Sequence, residues 1–139
     1  MSFLRFFRLS KNSSRTYQFT LPNNTDEYLT SEVSTIGTWV DGRTIYRKVV
    51  TFAQGPNSVQ LSIPHGITVV DKFLKVYGGM NGPNKTIVPL PYVGDSLDFS
   101  PNTCVSLDAD DTNVYITPIN GMGQDWSSYS GFVVLEFVK

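Results

Sequence analysis

The sequence contains one histidine, His65, and one cysteine, Cys104, whose side chains could act as a general base and a nucleophile. His65, the only histidine, lies in the turn-like sequence Pro64-His65-Gly66, and no serine in a nucleophile-like context accompanies it. A catalytic cysteine needs a partner base and an electropositive setting, whereas Cys104 stands beside Val105 in a strand-like run. We therefore interpret His65 as a turn residue and Cys104 as a small core residue. A single cysteine also excludes an internal disulfide and a multi-thiolate zinc site.

Acidic and glycine-rich stretches offer three further kinds of chemistry, and each is weakly supported. The cluster at 108–111 lacks the alternating oxygen ligands and distal Glu of a calcium loop. Asp95 and Asp98 could form a glycosidase pair, but a chain with twelve acidic residues supplies such pairs by chance. The glycines at 78–82 follow a strand-like run but precede no helix, so they do not match a phosphate-binding loop. The sequence therefore predicts a protein that is not an enzyme, with no catalytic, cofactor-binding or metal site.

The aromatic turn Asp125-Trp126-Ser-Ser-Tyr129 has two interpretations. Exposed rings beside carboxylate and hydroxyl groups can bind sugars, because the rings stack on apolar sugar faces and the carboxylate accepts hydroxyl protons. Asp125, Trp126 and Tyr129 are therefore candidate saccharide contacts. The alternative is structural, with Trp126 closing one end of a β-sandwich. We favour the structural interpretation and keep both.

The pattern of short apolar runs predicts an all-β fold that positions these residues. Hydrophobic residues make up 40% of the chain and charged residues only 17%, whereas disordered chains are rich in charge. Apolar runs separated by turn signals every eight to twelve residues or so are typical of a sandwich or barrel. We expect an antiparallel β-sandwich, jelly-roll-like, with a hairpin at Asp41-Gly42, a loop at 78–84 and strand-like runs at 45–52, 59–63, 69–77, 87–93, 103–107, 113–117 and 132–138.

Charge divides the chain into two predicted regions. Residues 1–25 carry four basic groups and no acid, or +4, whereas residues 26–139 carry seven basic and twelve acidic groups, or −5. We interpret 1–25 as an extended, basic, Phe-rich N-terminal arm and 26–139 as the β-sandwich head domain. The arm contains one alternating run at 16–21, which indicates a strand. Its candidate anchoring residues are Phe3, Arg5, Phe6, Phe7 and Arg8.

The same charge distribution excludes several classes of partner. An acidic head domain lacks the basic face that nucleic-acid binding requires. Arg5 and Arg8 interrupt the apolar stretch near the start, unlike the unbroken apolar region of a secretory signal. No apolar run reaches the length of a transmembrane helix. We therefore predict neither nucleic-acid binding nor membrane insertion, and expect the arm to dock on an acidic protein surface.

Several segments together resemble structural proteins of tailed-bacteriophage virions. Residues 28–50, which contain Trp-Val-Asp-Gly-Arg-Thr-Ile-Tyr-Arg-Lys, are similar to a Trp-Ile-Asp-Gly-Lys-Pro-Ile-Tyr-Arg-Lys core found in those proteins. The similarity continues in order and spacing at 63–67, 69–78, 88–92 and 125–137. Thr44 stands where Pro is usual, and the basic arm is not a feature that we associate with the family.

The resemblance implies a trimeric β-sandwich head of a fibre or virion-surface protein, and no enzyme activity. We expect a homotrimer on the virion that contacts a major capsid or tail protein. Since the chain has no shaft, we prefer a head fibre or capsid decoration protein anchored by its N-terminal arm. One alternative is a tail-tip or baseplate receptor-binding head that recognises host cell-surface saccharide. Another is an isolated carbohydrate-binding or hydrolytic domain.

The run at 132–138 is apolar on both sides, which predicts burial against something on each face. We expect contacts in the trimer to come from apolar faces that remain after one sandwich core is filled.

Overall fold

The computed structural model describes residues 26–94, 104–119 and 125–139, and within them the chain forms an all-β sandwich. The described strands are β1 (Val33–Thr38), β2 (Thr44–Phe52), β3 (Leu61–Pro64), β4 (Lys72–Asn81), β5 (Ile87–Leu90), β6 (Tyr92–Val93), β7 (Cys104–Ala109), β8 (Asn113–Ile119) and β9 (Ser130–Val138). A 3₁₀ turn at Pro83–Lys85 is the only helical element in these ranges. The predicted all-β class is confirmed. The strand predicted at 16–21 lies outside the described residues.

The strands form two antiparallel sheets that pack against each other. One has the order β1-β2-β9-β4-β5 and the other the order β3-β8-β7-β6. The last strand, β9, is therefore the centre of the five-stranded sheet, paired with β2 on one side and β4 on the other. β2 and β4, which are distant in sequence, are therefore joined in this sheet only through β9.

The sandwich core lies between the two sheets. From β9 it receives Val133, Leu135 and Phe137, which are fully buried. The four-stranded sheet contributes buried residues of β7 and β8, among them Val114 and Ile116. Alternate residues of a strand point to opposite faces, so these β9 side chains define the inner face of the five-stranded sheet. Val134, Glu136 and the partly buried Phe132 belong to its outer face.

The hairpin between β1 and β2 forms at the predicted dipeptide Asp41-Gly42. The Gly42 N–H donates to the Trp39 carbonyl at 2.8 Å, and the Trp39 N–H donates to the Arg43 carbonyl at 2.8 Å. Gly42 has a φ of +87°, which a residue without a Cβ adopts at little cost. The carboxylate of Asp41 accepts hydrogen bonds from the Arg43 N–H and Nε. This turn sequence therefore specifies its hairpin locally.

The glycine-rich stretch predicted as a loop at 78–84 is a strand for half its length, because β4 continues to Asn81. Gly78 pairs with Val133, and a Cβ there would collide with the Phe132 carbonyl oxygen. Glycine is thus required by the close approach of β4 to β9, and not by a turn.

The prolines at 89 and 91 lie where expected, at an edge. β5 is an edge strand of one sheet and β6 an edge strand of the other, with a cis Leu90–Pro91 peptide between them.

Candidate interaction surfaces

His65 is buried in the turn after β3, and both of its ring nitrogens are engaged. Its Nδ1 accepts the Ile67 N–H at 3.0 Å, so Nε2 carries the proton and donates to the Asp110 carbonyl at 3.0 Å. The Phe73 ring lies edge-on at 5.8 Å between centroids. His65 therefore joins two loops at one end of the sandwich, in agreement with its interpretation as a turn residue.

The acidic cluster forms a tight turn between β7 and β8. Asp110 Oδ1 accepts the N–H groups of Thr112 and Asn113, both at 2.8 Å, and Oδ2 accepts the Tyr115 hydroxyl at 2.7 Å. The hydrogen bond from Tyr115, followed by those from the two backbone N–H groups, lowers the pKa of Asp110. Within the described ranges, no group of three or more His, Cys, Asp or Glu side chains could hold a metal ion.

Other sequence candidates are placed as follows. Cys104 begins β7 and is half-buried. Asp95 and Asp98 lie outside the described residues, as do the arm residues Phe3, Arg5, Phe6, Phe7 and Arg8. No helix in the described part of the chain is long and apolar enough to span a bilayer.

Asp125, Trp126 and Tyr129 lie together just before β9. The Trp126 and Tyr129 rings meet edge-to-face with centroids 5.1 Å apart, and Tyr92 meets Trp126 at 6.3 Å. The Trp126 N–H donates to the Pro56 carbonyl, and the Tyr129 N–H donates to the Trp126 carbonyl, each at 2.9 Å. The turn is thereby tied to the segment before β3.

The two rings of this turn are half-buried and pack on the sandwich core. Gly55 makes room for Trp126, since a Cβ there would lie 2.6 Å from the Trp126 carbonyl oxygen, and the Tyr129 ring covers Gly82. Asp125 is exposed, and hydrogen bonds from Ser127 lower its pKa. The geometry thus gives the rings a packing role at the end of the sandwich and leaves an ionised carboxylate at the surface beside them.

An apolar groove on the outer face of the five-stranded sheet is a surface that the sequence candidates did not include. It has a volume of about 470 Å³ and is lined by Tyr28, Val49, Tyr77, Phe132 and Val134. Val134 is only 1% exposed yet is not part of the core between the sheets. The run at 132–138, which is apolar on both sides, predicted burial on both faces of this strand. It did not identify the strands that lie on either side of it.

A compact ionic cluster borders the groove. Arg47 donates to Glu136 Oε1 from Nη2 at 2.8 Å and from Nε at 3.1 Å, and Lys75 Nζ lies 3.4 Å from Oε2. The Tyr28 ring stacks on the Arg47 guanidinium at 4.5 Å, and the hydroxyls of Tyr28 and Tyr77 are 3.4 Å apart. These contacts hold the backbone around Tyr28 against the outer face of the sheet.

Burial and charge shift two pKa values in this cluster. Burial alone would lower the pKa of Arg47, but the hydrogen bonds and Coulomb attraction of Glu136 outweigh it and raise the pKa. Burial, with the hydrogen bond to Tyr28, raises the pKa of Tyr77 to about 12. At neutral pH the cluster therefore holds a charged Arg47 and a protonated Tyr77.

Comparison with protein-family models, with curated proteins and with solved structures gave no significant match.

Proposed function

We propose that the chain is a structural protein of a tailed-bacteriophage virion, a head fibre or capsid decoration protein whose β-sandwich head forms a homotrimer. The observation that carries the proposal is that the segments which resemble virion proteins have structural roles in the domain. Asp41 and Gly42 form the β1–β2 hairpin, His65 joins two loops, and Trp126 packs on the core. Residues that carry the proposed resemblance thus build the framework of the domain, which suits a role in assembly.

The engagement of the polar side chains favours a non-enzymatic role. Both nitrogens of His65 and both carboxylate oxygens of Asp110 are used within the fold. A general base must reach the proton that it removes from a substrate, and His65 is buried. These two groups therefore stabilise turns and are not arranged for a reaction.

The arm is proposed to anchor the head to another virion protein. Residues 1–25 carry +4 and the head carries −5, a separation that favours docking of the arm on an acidic surface while the head projects outward. We propose Phe3, Phe6 and Phe7 as apolar anchors and Arg5 and Arg8 as their charged neighbours, bound to a major capsid or tail protein.

Immunogold labelling of purified phage particles tests this proposal. Antibodies raised against the purified chain are expected to label capsids, and particles assembled with Phe6→Ser plus Phe7→Ser are expected to lose the label. Ser13→Ala plus Ser14→Ala is the matched control in the same arm and should keep it. Absence of the chain from wild-type particles would refute the proposal.

A second candidate function is a tail receptor-binding head that recognises host saccharide. It is favoured by the exposed, ionised Asp125 beside the Trp126–Tyr129 pair. Label on tail tips, together with loss of binding to host cells in Asp125→Ala, would support this alternative. Unchanged cell binding in Asp125→Ala would count against a saccharide contact there.

A further inference from the structure

The outer face of the five-stranded sheet is apolar well beyond the floor of the groove. Val49 pairs with Val134 in β9, and Val134 pairs with Tyr77 in β4. Farther along, the side chains of Ile87 and Phe132 lie over Gly79, where a Cβ would come within 3.2 Å of Ile87 and 3.4 Å of Phe132. Ile87 is 59% exposed at the rim. An apolar strip therefore crosses β2, β9, β4 and β5, and such a strip on a soluble domain indicates a surface that something covers.

The described chain begins on this same face. The Asp26 carbonyl accepts a hydrogen bond from Arg47 Nη1 at 3.0 Å, and Tyr28 lines the groove. The Leu29 carbonyl accepts the Val49 N–H at 2.8 Å, which fixes the following residues beside β2. The described part of the chain therefore begins at the edge of the groove.

The segment just before this point has the pattern of a strand with one apolar side. Tyr17, Phe19 and Leu21 alternate with Thr16, Gln18 and Thr20, and Pro22-Asn-Asn-Thr25 follows as a turn sequence. An extended strand places its apolar side chains about 7 Å apart on one side. Laid on the outer face, it would cover the groove with three large side chains and turn its polar side to water.

The length of the connection permits this arrangement. Leu21 precedes Asp26 by five residues, and an extended chain reaches at most about 3.6 Å per residue, or roughly 18 Å. Neighbouring strands are about 4.8 Å apart, so β2 and β4 are separated by roughly 10 Å. Residues 16–21 can therefore reach the groove of their own chain after a reversal at 22–25.

We propose that residues 16–21 bind in the groove lined by Val49, Tyr77, Phe132 and Val134 of the same chain, with Tyr17, Phe19 and Leu21 as the contacts. This inference does not depend on the proposed virion function. It divides the arm into a segment held on the head and a preceding segment, residues 1–15, that is available for a partner.

Methyl NMR spectra of the full chain test the contact. Phe19→Ser should shift the methyl resonances of Val49, Val134 and Ile87, because it removes a ring from the groove. Gln18→Ser is the matched control on the opposite side of the same strand and should leave those resonances unchanged. Equal shifts in the two variants, or no shift in either, would overturn the proposal.

A spin label distinguishes the same chain from a second copy. With Cys104→Ser and Ile87→Cys, a label at the rim should remove most of the amide signal of residues 16–21 and leave that of residues 3–8. In a mixed sample, the chains that carry the spin label contain no ¹⁵N and are therefore not observed. The ¹⁵N-labelled chains carry no spin label, and their residues 16–21 should keep their signal. Loss of signal in the mixed sample would assign the segment to a neighbouring copy and overturn binding within one chain, as would full signal in both samples.

Discussion

The two faces of the five-stranded sheet use the same strands in different ways. On the inner face, Val133, Leu135 and Phe137 of β9 are fully buried against the second sheet. On the outer face, Val134 is as well buried, but Phe132 borders an open groove and Glu136 holds Arg47 and Lys75. The inner face is thus completed by described residues of the head domain, whereas the outer face still presents apolar surface at its centre.

This difference shows why an apolar strand does not by itself define a core. Burial of apolar side chains stabilises a fold wherever it occurs, but close packing requires a partner surface. The inner face has its partner in the second sheet. For the outer face we infer residues 16–21, so the two faces should respond differently to matched substitutions.

The largest effect is expected from loss of an inner-face ring. Phe137 is fully buried and stacks with Tyr46 at 5.8 Å, so Phe137→Ala should lower the free energy of unfolding by about 3–5 kcal/mol. Phe132→Ala on the outer face should cost about 1–2 kcal/mol, because the ring is only partly buried. Urea denaturation measures both changes, and equal costs would contradict the distinction between the faces.

Removal of the charge at Glu136 should have the next largest effect. In Glu136→Gln the Arg47 guanidinium, whose side chain is 11% exposed, loses its counter-charge, and we expect a loss of about 3 kcal/mol. Adding Arg47→Met should restore part of that stability because it removes the unpaired charge. A double-mutant cycle in chemical denaturation measures the coupling. An additive result would show that the two charges do not stabilise each other.

Two neighbouring glycines provide a matched test with a smaller effect. A Cβ at Gly78 would collide with the backbone of β9, whereas a Cβ at Gly79 would meet the end of the Ile87 side chain at 3.2 Å. Gly78→Ala should destabilise the chain by about 2 kcal/mol, and Gly79→Ala by less than about 1 kcal/mol, since Ile87 is exposed and can move. Thermal denaturation of both variants checks this order, and the reverse order would contradict the assignment of the faces.

The smallest expected effect is an alkaline one at Tyr77. Burial raises the pKa of Tyr77 to about 12 from 10.0, so the folded state favours the protonated phenol. This contribution to stability is complete below pH 10 and is lost as the pH rises from 10 to 12. Tyr77→Phe should therefore lose less stability than the wild type over that interval. The same alkaline loss in both proteins would contradict the raised pKa.

Several local features could be predicted from the sequence because neighbouring residues specify them. Asp41 and Gly42 form their hairpin with hydrogen bonds inside the turn, His65 Nδ1 accepts the N–H of Ile67, and Asp110 accepts N–H groups of its own turn. The alternation of apolar and polar residues predicted a sandwich, because a strand with one buried face has an apolar residue at every second position. These signals do not depend on distant strands.

Features that depend on strand pairing could not be predicted in this way. Gly78 had the appearance of a loop residue, and only the approach of β9 explains its place inside β4. The groove joins Tyr28, Tyr77 and Val134, which meet only because β9 pairs with both β2 and β4. Trp126 and Tyr129 were predicted to lie in the same turn, but the packing of Trp126 on Tyr92 requires the second sheet.

The central proposal is that the head of this virion structural protein forms a homotrimer. Multi-angle light scattering of the purified chain tests it most directly. The proposal predicts a particle of three times 15.5 kDa whose mass does not change on dilution. A monomer of 15.5 kDa at all concentrations would contradict it and would favour an isolated binding domain.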